Sequence, residues 1–262
     1  MNKELETEYH FAFSEPLVCT AIHNGNYISP QIRKNIGITD NLRLREEDPK
    51  TAFFTKISAN RIIQHRSRFE YDLNRSRDKA FYLEPADAWG LRVRRQRPEE
   101  EVIRESLSAY DRFYRRTKSF FDEMTTTFGS FFVYDIHSYN HHRKGNDQPF
   151  DSPAENPEII LGTSIMPAEW FPLVKRIQES LLGFDFFGRK LDVRINVKFP
   201  GGNFSRWIHS SYPGRVACIA IEFKKIFMDE WTGEFFPDKQ EALRQALLRT
   251  KPVILNYLRE KQ

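Results

Sequence analysis

The sequence predicts an α/β protein built around a largely buried sheet. Three observations carry that expectation. Short apolar runs rich in strand-forming residues alternate with stretches of helical periodicity along the whole chain. The apolar fraction is 40%, with 23 Phe, enough for a chain of 262 residues to bury roughly three quarters of its extended surface. No internal repeat or low-complexity tract interrupts the pattern, so residues 1–262 read as a single domain.

The elements follow in order. Residues 17–22 are mostly apolar, with Val18, Cys19 and Ile22 at their heart, and predict a buried strand. The run ends at His23, before the turn formers Asn24, Gly25 and Asn26. Asp48 followed by Pro49 has the form of a helix N-cap and first position, predicting a helix through Phe53 and Phe54 towards Ile62. Residues 67–75 read as a second strand or extended segment. From Glu99 to about Phe128 the residues Ile103, Leu107, Tyr110, Phe113, Phe121 and Met124 fall mostly on one stripe, the mark of an amphipathic helix. Phe131 to Ile136 read as a strand ending at His137. The polar stretch 138–157 is a loop of a length that usually serves function or stays disordered. A helix is expected over 167–182, a strand over 191–197 and a loop over 198–203. A buried strand over 216–221 ends at Glu222. An amphipathic helix over 239–261 closes the chain, disturbed where Pro252 interrupts it.

Charge and composition narrow the function. Lys and Arg exceed Asp and Glu by only 4, spread along the chain, which permits acidic ligands without the basic stripe that marks nucleic-acid binding. The arginines at 92, 94, 95 and 97 read as a solvated face. No apolar run approaches the ~20 residues of a membrane span, and the first residues lack the apolar core of a secretory signal. Cys19 and Cys218 lie in apolar runs and read as buried thiols of a reducing, cytoplasmic protein.

Three predicted strands end in a residue able to bind metal or move a proton: His23, His137 and Glu222. Ligand crevices of open α/β sheets lie beyond the carboxyl ends of the strands, so all three can share one rim. Two histidines and a carboxylate meet the needs of a catalytic zinc, which takes three N or O ligands and keeps a position for water. Glu46, Glu47 and Asp48 form a carboxylate cluster whose ordinary role would be to cap a helix and complement its dipole. Asp135 would orient His137 if the strand stays regular, because residues two apart then share a face. Glu222 needs a partner or a function, since an unpaired buried carboxylate is costly. An ion pair with Lys224 or Lys225 is the structural alternative. Arg68, and Arg75 beside Asn74, are either surface salt bridges or clamps for a carboxylate, which the planar guanidinium binds through two hydrogen bonds. These residues together point to a metal hydrolase and leave its substrate open.

The same residues carry a resemblance. His23 with Gly25 and Pro30, the cluster Glu46, Glu47 and Asp48, Ser67-Arg68 with Asp72-Leu73-Asn74-Arg75, and Asp135-Ile136-His137-Ser138 occur in the order found in the N-formylglutamate amidohydrolase family, relatives of the zinc carboxypeptidases. Leu161-Gly162-Thr163, Pro200-Gly201-Gly202, Ile221-Glu222-Phe223 and Phe227-Met228-Asp229-Glu230 continue the match. The resemblance implies a three-layer α/β/α sandwich with a mixed, mostly parallel sheet. It implies Zn²⁺ held by His23, His137 and a carboxylate between them, by position Glu47, with Glu46 and Asp48 as alternatives. It implies Glu222 as general base, Arg68 as the residue polarising the substrate carbonyl, and Asn74 and Arg75 as the carboxylate-binding pair. The expected substrate is an N-acyl amino acid, N-formyl included, or a small peptide-like molecule with a free carboxylate, with no nucleic acid or membrane involved. The competing class is a non-catalytic, metal-binding member that holds an acidic peptide or partner. The segments 138–143, 89–91 and 231–233 depart from the family pattern and suggest a divergent branch.

Overall fold

Seven strands form one sheet in a computed structural model that describes residues 6–261. In chain order they are β1 (Thr7–His10), β2 (Leu17–Ala21), β3 (Asn60–Gln64), β4 (Phe131–Tyr139), β5 (Ile159–Gly162), β8 (Val193–Ile195) and β9 (Val216–Lys224). A small hairpin, β6 (Asp185–Phe186) and β7 (Arg189–Lys190), stands apart. The spatial order is β1-β3-β2-β4-β9-β5-β8. The central strands β3, β2, β4 and β9 run parallel, β1 pairs antiparallel with β3, and β5 pairs antiparallel with β9. The sheet is therefore mixed and mostly parallel, as expected.

Helices cover both faces. Side chains alternate along β4, so Phe132, Tyr134 and Ile136 pack on one side with α4 (Phe171–Leu182) and α6 (Pro237–Lys261). Phe131 and Val133 face the other side, against α3 (Glu100–Phe128) and α5 (Asn203–Ser211). On α3, Phe113, Phe120 and Phe121 are buried, each worth roughly 1.5–3 kcal/mol relative to exposure. Cys19 and Cys218 are free, buried thiols on opposite faces of the sheet. Among the described residues no helix is long and apolar enough to cross a membrane.

Several local expectations change. The helix expected from Asp48 towards Ile62 is a short 3-10 helix, Thr51–Ile57, and Ile62 lies in β3. The N-cap of this 3-10 helix is Lys50, not Asp48; the Asp48 backbone carbonyl accepts from Thr51 N and Oγ1, and its carboxylate does not cap the helix. Residues 67–75 are turns and irregular chain, held by side-chain bonds to Asp72 and Glu70. The loop over 198–203 gives way at Asn203 to α5, a helix the sequence pattern did not suggest. Pro252 does not break α6, because buried Leu247, Thr250, Ile254 and Leu258 hold the helix to the core on either side of it. Two short helices, α1 (Pro30–Arg33) and α2 (Asp40–Glu46), lie between β2 and the Asp48 segment.

Candidate active site

Strand pairing brings the strand-end residues together. In the parallel pair β4–β9, His137 stands opposite Glu222 and Asp135 opposite Ala220. Asp135 and His137 share the face of Phe131 and Val133, and Glu222 shares the face of Val216 and Cys218, so all three lie on the α3/α5 side. His23 follows β2, on the other flank of β4. The close approach of backbones behind it requires Gly25, where a Cβ would sit 2.1 Å from the His65 carbonyl carbon.

The carboxylate that joins the two histidines is Asp48, not Glu47. The Nδ1 atoms of His137 and His23 lie 3.0 and 3.4 Å from Asp48 Oδ2. The ligand atoms of His23, Asp48 and His137 all lie within 4.8 Å of one another, and all three residues are buried. Glu47 is extended at the end of α2, so its side chain and that of Asp48 leave the chain in opposite directions. The Glu47 carboxylate accepts from Arg43 Nη1 at 2.6 Å and from Ser67 Oγ. Burial pushes its carboxyl up to about 7 against the pull of Arg43. Glu46 faces Arg143, Asn140 and Arg45 instead. Arg43 precedes Glu47 by four residues, a spacing that pairs them only where the chain is helical, and the sequence pattern did not suggest α2.

The donor set fits a divalent cation. Two imidazole nitrogens and one carboxylate oxygen converge in a buried place, and His23 Nδ1 has no hydrogen-bond partner among the described residues. Each imidazole turns its other nitrogen to a carboxylate: His23 Nε2 lies 2.7 Å from Asp72 Oδ1, and His137 Nε2 3.0 Å from Asp135 Oδ2. That arrangement orients a ligating histidine and strengthens its basicity. Asp135 is held in turn by Thr20 Oγ1 at 2.9 Å. Asp72 accepts from Arg68 at 2.8 Å, from Asn74 N at 2.7 Å and from the Tyr82 hydroxyl. Burial would raise the Asp48 and Asp72 carboxyls. The histidines hold Asp48 well below the usual carboxylate range, and Arg68 with His23 does the same for Asp72. Asp72, Thr20 and Tyr82 had no role in the sequence reading; only the position of Asp72 between Arg68 and Asn74 hinted at one.

A cavity of about 280 Å³ opens over this cluster, lined by His23, Asp48, His137, Glu222, Arg68, Asn74 and Arg75 among others. Every residue expected to bind metal or substrate or to move a proton, except Glu47, is on its wall. Glu222 makes no hydrogen bond or ion pair among the described residues. Burial pushes its carboxyl up to about 8, opposed by His137 and reinforced by Asp48 and Asp135. The alternative ion pairs are excluded by geometry. Lys224 Nζ donates to Asn156 O, and Lys225 Nζ donates to Arg45 O, Glu47 O and Asn140 Oδ1 at 2.6, 2.8 and 2.9 Å. Lys225 thereby ties the chain just beyond β9 to the carbonyls at the end of α2, next to Asp48. Asn74 Oδ1 accepts from Phe204 N at 3.0 Å, which leaves its amide nitrogen for the cavity. Gly202 permits this contact, since a Cβ there would lie 2.1 Å from Asn74 Oδ1.

A sequence model described as N-formylglutamate amidohydrolase matches residues 15–228, a span holding every residue of the site. The chain belongs to the N-formylglutamate amidohydrolase family. It is thus a hydrolase of the amidohydrolase type, acting on amides. Among curated proteins no sequence relative matches it. Its fold is that of a crystal structure of N-formylglutamate amidohydrolase from Ralstonia eutropha JMP134, with a TM-score of 0.72 and 15% identity over 98% of this chain and 100% of that one. A gene product of Agrobacterium tumefaciens is also similar, with a TM-score of 0.65 and 17% identity over 94% of each chain. Residues of the segments 138–143, 89–91 and 231–233 lie at or beside the cavity. Asn140 and Arg143 line it, and the Trp231 ring lies 3.8 Å from the guanidinium of Arg45, another lining residue. Glu230 accepts from the backbone of His141 and His142 and so anchors the long loop after β4.

Proposed function

We propose that the protein is a zinc-dependent amidohydrolase that cleaves the amide of an N-acyl amino acid or small peptide-like substrate bearing a free carboxylate. His23, Asp48 and His137 would hold the zinc. When bound, zinc lowers the pKa of water towards ~7 and polarises a carbonyl. Glu222 takes the proton of the attacking water and passes it to the amine that leaves. A cation near Glu222 draws its raised carboxyl back down, into the range of a neutral-pH base. Arg68 is held by Asp72 at 2.8 Å and donates towards the carbonyl oxygen as charge develops on it. Asn74 Nδ2 and the half-exposed Arg75, whose nearest carboxylate is Asp72 at 4.0 Å, receive the substrate carboxylate and orient the amide.

The observation that carries this reading is the Glu222 carboxylate, which faces the cavity beside the His-Asp-His cluster with no partner of its own. A structural carboxylate in that place would be paired. The test is a panel of N-acyl amino acids and their carboxamides, assayed for released amine with protein stripped of metal and reloaded with zinc. Turnover of the free acids that needs zinc is expected. Zinc-loaded protein that binds these acids without cleaving them would replace the enzyme with a binding protein.

A further inference from the structure

We propose that Trp89 determines specificity: its ring seats an apolar or aromatic group of the substrate that flanks the scissile amide. This deepens the amidohydrolase reading and rests on it.

Most cations around the cavity have protein partners. Arg45 meets Glu230 at 3.2 Å, Arg143 meets Glu46 at 3.3 Å, and all three donors of Lys225 are taken by oxygens. Each of these cations already has a protein partner, and a substrate carboxylate at any of them would displace it. Arg75 and Arg206 keep donors free: Asp72, the nearest carboxylate to Arg75, is already bonded to Arg68, and Arg206 reaches only Gly201 O at 3.4 Å. The polar lining therefore offers free donors to an anion at Arg75 and at Arg206.

Trp89 is the exposed aromatic of the lining. It ends the 3-10 helix Pro85–Ala88 at a left-handed φ of +54°, a conformation that suits glycine and is strained for a bulky residue. Strain of this kind gathers at functional sites. Folding does not account for the ring, which is 52% exposed. It touches the Arg68 guanidinium, 4.8 Å from the ring centre, and meets Tyr82 edge-on at 6.4 Å. Its indole nitrogen makes no hydrogen bond among the described residues.

Position supplies the function. Arg68 is the residue read as polarising the scissile carbonyl, so a ring stacked on its guanidinium lies beside the reacting amide. A group flanking that amide reaches the free part of the ring. Half-buried Phe199, in the same cavity wall, adds a second apolar surface. Indole and phenyl faces reward an apolar or planar group and offer nothing to a second carboxylate.

The experiment compares kcat/KM for N-formyl-L-phenylalanine, N-formylglycine and N-formyl-L-glutamate in zinc-loaded wild type, Trp89→Gly and Trp89→Phe. Glycine suits the left-handed backbone, so Trp89→Gly removes the ring without adding strain. Wild type is expected to prefer the phenylalanine substrate over the glycine one by about tenfold or more, the scale of discrimination by an apolar pocket. Trp89→Gly should erase most of that ratio, and Trp89→Phe should keep most of it. If Trp89 only steadied Arg68, all three substrates would fall together and the ratio would hold, which would overturn the proposal. A wild-type preference for the glutamate substrate would overturn it too. Calorimetric binding of the same compounds in a Glu222→Gln background reads the ratio without turnover. Absent hydrolysis with a Trp89-dependent binding ratio refutes the amidohydrolase reading alone, and a binding ratio indifferent to Trp89 refutes the specificity role alone.

Discussion

Replacing the carboxylates at 47 and 48 one at a time gives the sharpest test of the metal site. Asp48→Asn removes the anionic oxygen that lies 3.0 and 3.4 Å from the two imidazoles and leaves a neutral amide of the same shape. Losing a residue that merely orients a ligand costs about 10–100-fold in metal affinity, so losing a ligand itself should cost more than ~100-fold. Glu47→Gln perturbs a different network. It weakens the 2.6 Å bond from Arg43 and the bond from Ser67, while Arg43 keeps Asp40 at 3.2 Å and Asn26 O at 2.7 Å. Loss of hydrogen bonds to a charged group costs about 1.5–3 kcal/mol of stability, and no ligand disappears. Each purified variant is loaded with zinc, dialysed against a weak chelator, and measured for metal content and for thermal unfolding. Asp48→Asn should come through folded with little zinc, and Glu47→Gln should come through less stable with about one zinc per chain. The reverse outcome, zinc lost from Glu47→Gln and kept by Asp48→Asn, would refute the geometric argument and restore the assignment by position in the sequence.

Three further outcomes are expected. Glu222→Gln should keep its zinc and its fold and lose at least ~10²-fold in kcat with little change in KM, because the lost proton transfer acts in the transition state; near-normal turnover would remove Glu222 as base. Arg75→Ala should raise KM for free-acid substrates far more than for their amides, by about 10-fold or more for a charge-assisted contact of ~1.5–3 kcal/mol, and equal losses on both would refute its role. His209 is buried, accepts from Cys218 N at 3.0 Å, and burial pulls its imidazole down from 6.5 to about 4. The unfolded chain therefore binds the extra proton between those values, so the His209 contribution to stability is intact above about pH 6.5 and falls away towards pH 4, by about 3 kcal/mol in all. Denaturant unfolding of wild type and His209→Gln across that window should show a difference that shrinks with falling pH, and a difference independent of pH would contradict it.

The local pattern of the chain determined much of this protein by itself. Buried parallel strands read as nearly continuous apolar runs, so β2, β4 and β9 were visible, and the polar residues that close those runs marked His23, His137 and Glu222. The single stripe of α3 was equally plain, since twenty-nine residues of helical spacing leave little room for another reading. Short elements were not legible: α5, β5 and the 3-10 helix after Asp48 owe their form to neighbours, and propensity over so few residues is a weak guide. The choice between Glu47 and Asp48 belongs to the tertiary structure. The two are adjacent, similar in chemistry and both buried, and nothing local ranks them as ligands. Arg43 and Ser67 take one side chain, the two histidines take the other, and Lys225 fixes the backbone between α2 and the cavity. The same holds for Asp72 and Asp135. Sequence spacing could place them near histidines, but only the assembled sheet and the folded 67–75 segment bring their oxygens within 3.0 Å of imidazole nitrogens. A residue's type and its place in a strand are local properties, whereas the direction of a side chain among competing partners is set by contacts between segments far apart in the chain, and those exist only once the whole has folded.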